Sequence, residues 1–259
     1  EKGEGVSNAG EESSVQSLSI EQIKSHHGRL VKPGNQVLSI FGDIDIEQVK
    51  KELSNLWEDS SESSMIELPQ SPSETRVETL ALSETCDKKQ SVVVFGFPGT
   101  TFFDKERHAL DLLQETCSDL GSRLFMRIRD ELGLAYYVGA QHMPGIVRGY
   151  FGFYAGTSPE HVEQVKEEFK IQINKIKSEG ITQQELDRSK AKMLGQKQIA
   201  RQDLGHLAMA SALDELYGLG FQHPLEEDAA IRAVSLEDVQ KAAEKIFDLE
   251  NSTVAVVGP

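Results

Sequence analysis

The 259-residue sequence predicts an α+β fold in which helices pack on a mostly antiparallel sheet, and three observations carry that expectation. Short apolar or alternating runs come in two pairs, each followed by amphipathic stretches with helical spacing. Capping residues mark where those helices begin, and glycines mark where they stop. A closing unit of helix, turn and strand repeats one found near the start.

In chain order, residues 1–17 are rich in Glu, Ser and Gly and read as a linker or disordered start. They lack the basic and apolar regions of a signal peptide. With no initiator Met, the chain is expected to have been cut from something longer. Ser19 and Gln22 form a capping box that opens a helix to about Leu30, and Pro33-Gly34 ends it. Gln36–Phe41 (QVLSIF) reads as a short apolar strand. Ile46–Trp57 reads as an amphipathic helix with Ile46, Val49, Leu53 and Trp57 on one side. The low-complexity run at 59–75 (DSSESSMIELPQSPSET) reads as a linker.

Beyond it, Arg76–Leu82 alternates and Ser91–Phe97 is more fully apolar, so both read as strands. Helices follow over Asp104–Ser118 and Ser122–Leu132, the second closed by Gly133. Tyr136–Gln141 and Gly149–Ala155 read as strands of a hairpin around Pro144-Gly145. Ser158-Pro159 starts a helix whose Val162, Val165, Phe169, Ile173 and Ile176 form one apolar stripe. Gly180 breaks it, Thr182 and Glu185 cap the next, and helix continues in one or two pieces to about Gly218.

The end of the chain answers its start. Shifted by 216 positions, residues 18–42 fall on residues 234–258 without a gap, and both read as helix, turn and strand. Ser19, Glu21, Asn35 and Gly42 fall on Ser235, Glu237, Asn251 and Gly258. Any capped amphipathic helix followed by a strand would match in this way. The alternative is a duplication, in which residues 18–42 are the tail of a preceding domain.

Composition restricts the function classes. No apolar run approaches the roughly 18 residues of a membrane span. A formal charge of −15 argues against nucleic-acid or anionic-membrane partners, since phosphate contact needs a basic face. Cys86 and Cys117 have no C-x-x-C spacing, which leaves either one disulfide or two buried thiols. No two of the seven His stand four apart, so H-x-x-E-H and its reverse are both absent and no local metal site is encoded. Adjacent His26 and His27 would point to different sides of a helix. The sequence also lacks G-x-S-x-G, a P-loop and an EF-hand loop.

Gly121–Val138, GSRLFMRIRDELGLAYYV, closely resembles the G-x-S-R-L-F-x-x-L-R-E-x-x-G-L-A-Y pattern in the second domain of pitrilysin/insulinase-type zinc metallopeptidases, the inverzincins. Phe97-Pro98-Gly99 with Asp104 and Leu110, the aromatic run at Tyr150–Tyr154, and Val256-Val257-Gly258 agree in order and spacing. Leu18–Asp45 resembles the end of the zinc-bearing domain that precedes it in such enzymes. The resemblance thus covers nearly everything after residue 17. It implies a C-terminal, non-zinc-binding half organised as a tail of the preceding homologous domain plus a connecting helix at 18–58, a linker at 59–75 and a complete domain at 76–259.

That resemblance also implies a function. The chain is expected to close over peptide and position it for hydrolysis at a zinc site carried by an N-terminal half, in the same polypeptide or a separate subunit. Zinc belongs to the complete enzyme, and this chain alone is expected to cleave nothing. The positions matching the family's substrate-contacting Arg and Tyr are Arg129 and Tyr136, for which an ion pair among Arg123, Arg127 and Asp130 and a half-buried core place are the plain alternatives. A guanidinium offers a fork of donors to a peptide carbonyl, and a phenol can donate to a developing oxyanion. Arg123 reads as structural. Two further readings stay open: a non-catalytic scaffold or regulatory subunit of a processing-peptidase-like complex, and a peptide-binding module that uses a sheet edge. A homo-oligomer through the face meant for the absent half is a further expectation.

Overall fold

A computed structural model describes residues 9–32, 34, 36–56 and 79–259, which divide into two units, Glu1–Pro69 and Gln70–Pro259. The whole 59–75 linker, Trp57 and residues 76–78 of the expected strand lie outside the described residues.

In the first unit the described residues form α1 (Glu12–Gln16), α2 (Ile20–Leu30) and α3 (Ile46–Leu56). The single turn of α1 falls inside the stretch expected to be linker. There the Glu11 side chain and Ser14 cap each other's backbone. Ser19 caps α2 as expected: its hydroxyl accepts from the Gln22 N–H while the Gln22 side chain accepts from the Ser19 N–H. Residues 36–41 are not a strand here. Strand structure requires a neighbour for its N–H and C=O groups, and no ladder reaches this segment among the described residues. Ile20, Ile23, Leu38 and Ile40 are all exposed, so α2 and the segment after it have no core of their own.

The second unit is built on β1 (Leu80–Thr85), β2 (Ser91–Pro98), β3 (Ala135–Met143), β4 (Tyr150–Thr157) and β5 (Thr253–Gly258), in the order β1-β5-β2-β4-β3. β2 pairs antiparallel with β4 and β5, and β3 antiparallel with β4. Only β1 and β5 run parallel. In β2, Ser91, Val93, Phe95 and Phe97 are buried while alternate residues are not, the period-2 signature of a sheet covered on one face.

Helices α4 (Arg107–Ser118), α5 (Val162–Glu179), α6 (Gln183–Ala200), α7 (Leu204–Leu216), α8 (His223–Ala233) and α9 (Leu236–Ile246) complete the unit. The covered face holds Phe95, Phe97, Phe151, Phe153, Phe169 and Phe247, whose rings meet at 5.0–6.2 Å. Gly180 at φ +72° ends α5, and the Thr182–Glu185 capping box starts α6. The helix expected in one or two pieces breaks into two, with Asp203 capping α7. The sequence reading had no separate helix at α8, whose start is marked by Pro224 in its first turn. Cys86 and Cys117 are both free thiols.

Candidate functional site

The stretch Gly121–Tyr136 folds into a wide turn beside the edge strand β3. Residues 125–131 adopt π-helix, with Leu132 N–H donating to Arg127 O across five residues at 3.2 Å. Gly133 at φ +61° closes the turn, a left-handed cap that a side chain would strain. The chain then enters β3 at Ala135, with an irregularity in the ladder between Ala135 and Tyr137 that leaves Tyr136 outside the register.

The three arginines of this stretch have different fates. Arg123 grips Glu185 with two parallel bonds, Nε to Oε1 at 3.0 Å and Nη2 to Oε2 at 2.6 Å, and donates to the Gly180 carbonyl. It ties the start of the turn to α6, the structural role expected of it. Burial disfavours charge on Glu185, but the Arg123 bonds and the Thr182 N–H outweigh it and hold the carboxyl below its usual range. Arg127 pairs with Glu131 and Glu168.

Arg129 has no carboxylate partner among the described residues. Its Cζ lies 4.5 Å from the ring centre of Phe125 and 5.4 Å from that of Tyr136. The guanidinium is therefore held by two rings, which leaves its N–H edges unspent on acids. Tyr136 is 71% exposed, so it is not a core residue. The structure brings the two candidates together, and it adds Phe125, which sequence reading had not singled out as functional. Its position four residues before Arg129 was the available signal.

A second polar group lies deeper. His142, with a fully buried side chain, meets Asp111 through Nδ1 at 2.7 Å and Thr100 Oγ1 through Nε2 at 2.9 Å. Burial opposes charge on Asp111, but bonds from His108 and His142 and the nearby Arg107 prevail and pull its carboxyl down to about 2. The acid–imidazole–hydroxyl order is that of a nucleophilic relay, yet the hydroxyl is on a residue only 4% exposed, out of reach of a peptide. The group acts as a clamp between α4, β3 and the Phe97-Pro98-Gly99-Thr100 segment. That segment packs so tightly on the hairpin that a Cβ on Gly149 would sit 2.1 Å from the Thr100 carbonyl oxygen.

No group of three or more His, Cys, Asp or Glu among the described residues is placed to hold a metal ion. Zinc does not fit the residues seen here. No described helix is long and apolar enough to cross a membrane.

Comparison with known proteins bears on the family and the fold. The Peptidase M16 inactive domain family matches residues 17–193. An uncharacterized zinc protease of Rickettsia bellii is 26% identical over 252 residues, covering 96% of this chain and 60% of that protein. A protein of Helicobacter pylori described as a non-peptidase homologue is 25% identical over 265 residues, covering 96% of this chain and 57% of that protein. The crystal structure of a Helicobacter pylori protease superposes with a TM-score of 0.85 at 21% identity, over 96% of this chain and 62% of that one. At that identity the likeness shows the fold. This chain thus spans about 60% of the length of the curated relatives it matches. A match to two thirds of the sequence, with the fold to go with it, makes the chain a member of the M16, or pitrilysin/insulinase-type, zinc peptidase family, as its inactive C-terminal domain.

Proposed function

We propose that this chain closes over peptide and positions it for hydrolysis by a zinc-bearing partner half, and that Arg129 and Tyr136 are the contacts it brings. One observation carries the reading: Arg129, alone of the three arginines in its turn, is held by rings and not by acids, next to an exposed phenol.

The chemistry follows from that placement. A guanidinium lying over the Phe125 ring, with no carboxylate claiming its N–H groups, has donors to offer a peptide carbonyl. Tyr136 O–H can donate to the carbonyl oxygen as negative charge builds on it, an interaction stronger in the transition state than in the ground state. Zinc and the general base belong to the part of the protein outside this chain.

The test uses the longer protein that contains this chain, assayed on unstructured peptides. Tyr136→Phe should lower kcat by roughly 100- to 1000-fold, the range for losing one oxyanion donor, with zinc content unchanged. An unchanged rate removes the role given to Tyr136. Failure of the unaltered protein to cleave any peptide sinks the peptidase reading and leaves the scaffold one.

A further inference from the structure

We infer that the outer edge of β1 is a binding groove for an extended peptide, which adds to the sheet beside β1 and lays its apolar side chains in a trough between β1 and α5. The inference is independent of the roles given to Arg129 and Tyr136.

The sheet has two edge strands, β1 and β3, and they differ. Side chains of α4 close β3. The Ser118 hydroxyl accepts from the Ala140 N–H at 3.0 Å and donates to the Ala140 carbonyl, and Gln114 Oε1 accepts from the His142 N–H at 2.7 Å. Backbone groups on which another strand would pair are thus already taken.

β1 has no such cover among the described residues, where its one strand partner is β5. Leu80 N–H donates to Ser252 O and Cys86 N–H to Gly258 O, so the even-numbered residues turn their backbone groups to β5. Ala81, Ser83 and Thr85 turn theirs outward. Every residue of β1 after Leu80 is exposed, and its sequence, LALSET, holds neither the Lys nor the Pro that commonly guards an edge.

The same three residues shape the trough. Ala81 pairs with Val254 and Ser83 with Val256, and those valines pair in turn with Phe95 and Val93 on the helix-covered face. Small side chains therefore stand at the margin of a face that is otherwise filled by large ones. α5 packs on β2 and β4, and beside its first turns a trough of about 480 Å³ stays open over Val254 and Val256. Ligand sites commonly measure about 300–1,000 Å³. The charged groups on its α5 wall, Lys166 and Glu163, pair with each other at 2.8 Å, which leaves an apolar floor to select the side chains that enter.

Edge and trough together set the chemistry of the partner. Main-chain bonds to Ala81, Ser83 and Thr85 hold an extended chain, and every second side chain of that chain points to the trough. A peptide with large apolar residues at alternate positions fits both. A second copy of this chain does not. Joined antiparallel across a two-fold axis, it would present its own Ala81, Ser83 and Thr85 and leave the trough empty. An edge of six residues, about 20 Å long, also falls short of the roughly 1,000 Å² that a stable dimer buries.

Nuclear magnetic resonance titration tests this, using the nitrogen-15-labelled chain and a capped peptide of about nine residues that alternates Leu with Ser and ends in Lys. Amide shifts are expected at residues 80–85 and 162–166 and not along β3. Ser83→Pro removes an outward N–H but no bond to β5, and Ser83→Leu fills the trough, so each should weaken binding at least about tenfold with the melting transition in place. The same peptide N-methylated at alternate residues cannot pair and should not bind, an arm that needs no variant. Absence of shifts at millimolar peptide, shifts confined to β3, or undiminished binding of the N-methylated peptide overturns the inference. So does a dimer that Ser83→Pro dissolves. Repeated on the longer protein that contains this chain, the titration should give the same shifts, and their loss there means that the edge is covered and the groove is not a binding site.

Discussion

Replacing Phe247 by Ala should cost this chain more than almost any other single truncation. Its ring is fully buried and meets Phe151 at 5.0 Å, Phe97 at 5.2 Å and Phe153 at 5.2 Å, so it joins the end of α9 to both β2 and β4. Truncating such a ring in a core costs about 3–5 kcal/mol, since the transfer term is lost and a cavity is left behind. The sheet on one side is held by its ladders and cannot collapse into the space, which places the loss toward the upper part of that range. For a unit of this size each kcal/mol lowers Tm by about 2–4 °C, so a fall of roughly 10 °C or more is expected. Urea denaturation of this chain followed by circular dichroism measures it. A loss below about 1 kcal/mol would refute the claim that this ring organises the core. Val31→Ala, 216 positions earlier and at the same place after its helix, is the control. At 47% exposure it should change stability in this chain by less than about 0.5 kcal/mol.

Three further outcomes follow from the geometry. Asp111 is pulled below its unfolded pKa to about 2, so its ion pairs stabilise the fold fully above about pH 4 and fade as pH falls towards 2. The gap in urea midpoint between the unaltered chain and Asp111→Asn should be worth about 2 kcal/mol at pH 5 and shrink at pH 2.5; a gap that stays constant contradicts this. Gly149→Ala forces a Cβ to within 2.1 Å of the Thr100 carbonyl oxygen and should lower stability by about 1–3 kcal/mol, and an unchanged melting curve would contradict the close packing. Burial pushes the Cys117 thiol up to about 12, so a thiol reagent should label partly exposed Cys86 in the native chain and reach Cys117 only on unfolding.

Much of this fold was legible because it is locally encoded. The boxes at Ser19 and Thr182 and the stop at Gly180 act within four residues, and each was found where spacing placed it. Periodicity likewise exposed the apolar stripe of α5, whereas β2, read as more fully apolar, buries only alternate residues. What failed was non-local. Residues 36–41 carry strand composition, yet a strand exists only when a neighbour accepts its hydrogen bonds. The π-helical turn differs from α-helix by one residue in its bonding, a difference that composition does not register. At the candidate site the motif marked Arg129 and Tyr136, but only the folded chain shows Arg123 and Arg127 spent on acids and Arg129 left to its rings. The pairing of Asp111 with His142 crosses 31 residues and has no sequence signal at all.

The place of β5 sets the tempo of folding. Among the described residues β1 has no strand neighbour except β5, and Leu80 pairs with Thr253, 173 residues further on. Closing so long a loop costs entropy before any ladder bond repays it, which makes this step a slow one. During synthesis β3 and β4 can pair as a hairpin and β2 can join the free side of β4, with α4 packed on them, while the flank of β2 that β5 later covers stays open until residues 253–258 have left the ribosome. That unpaired edge, apolar through Val92, Val93 and Val94, is the surface on which the nascent protein is most exposed to mispairing.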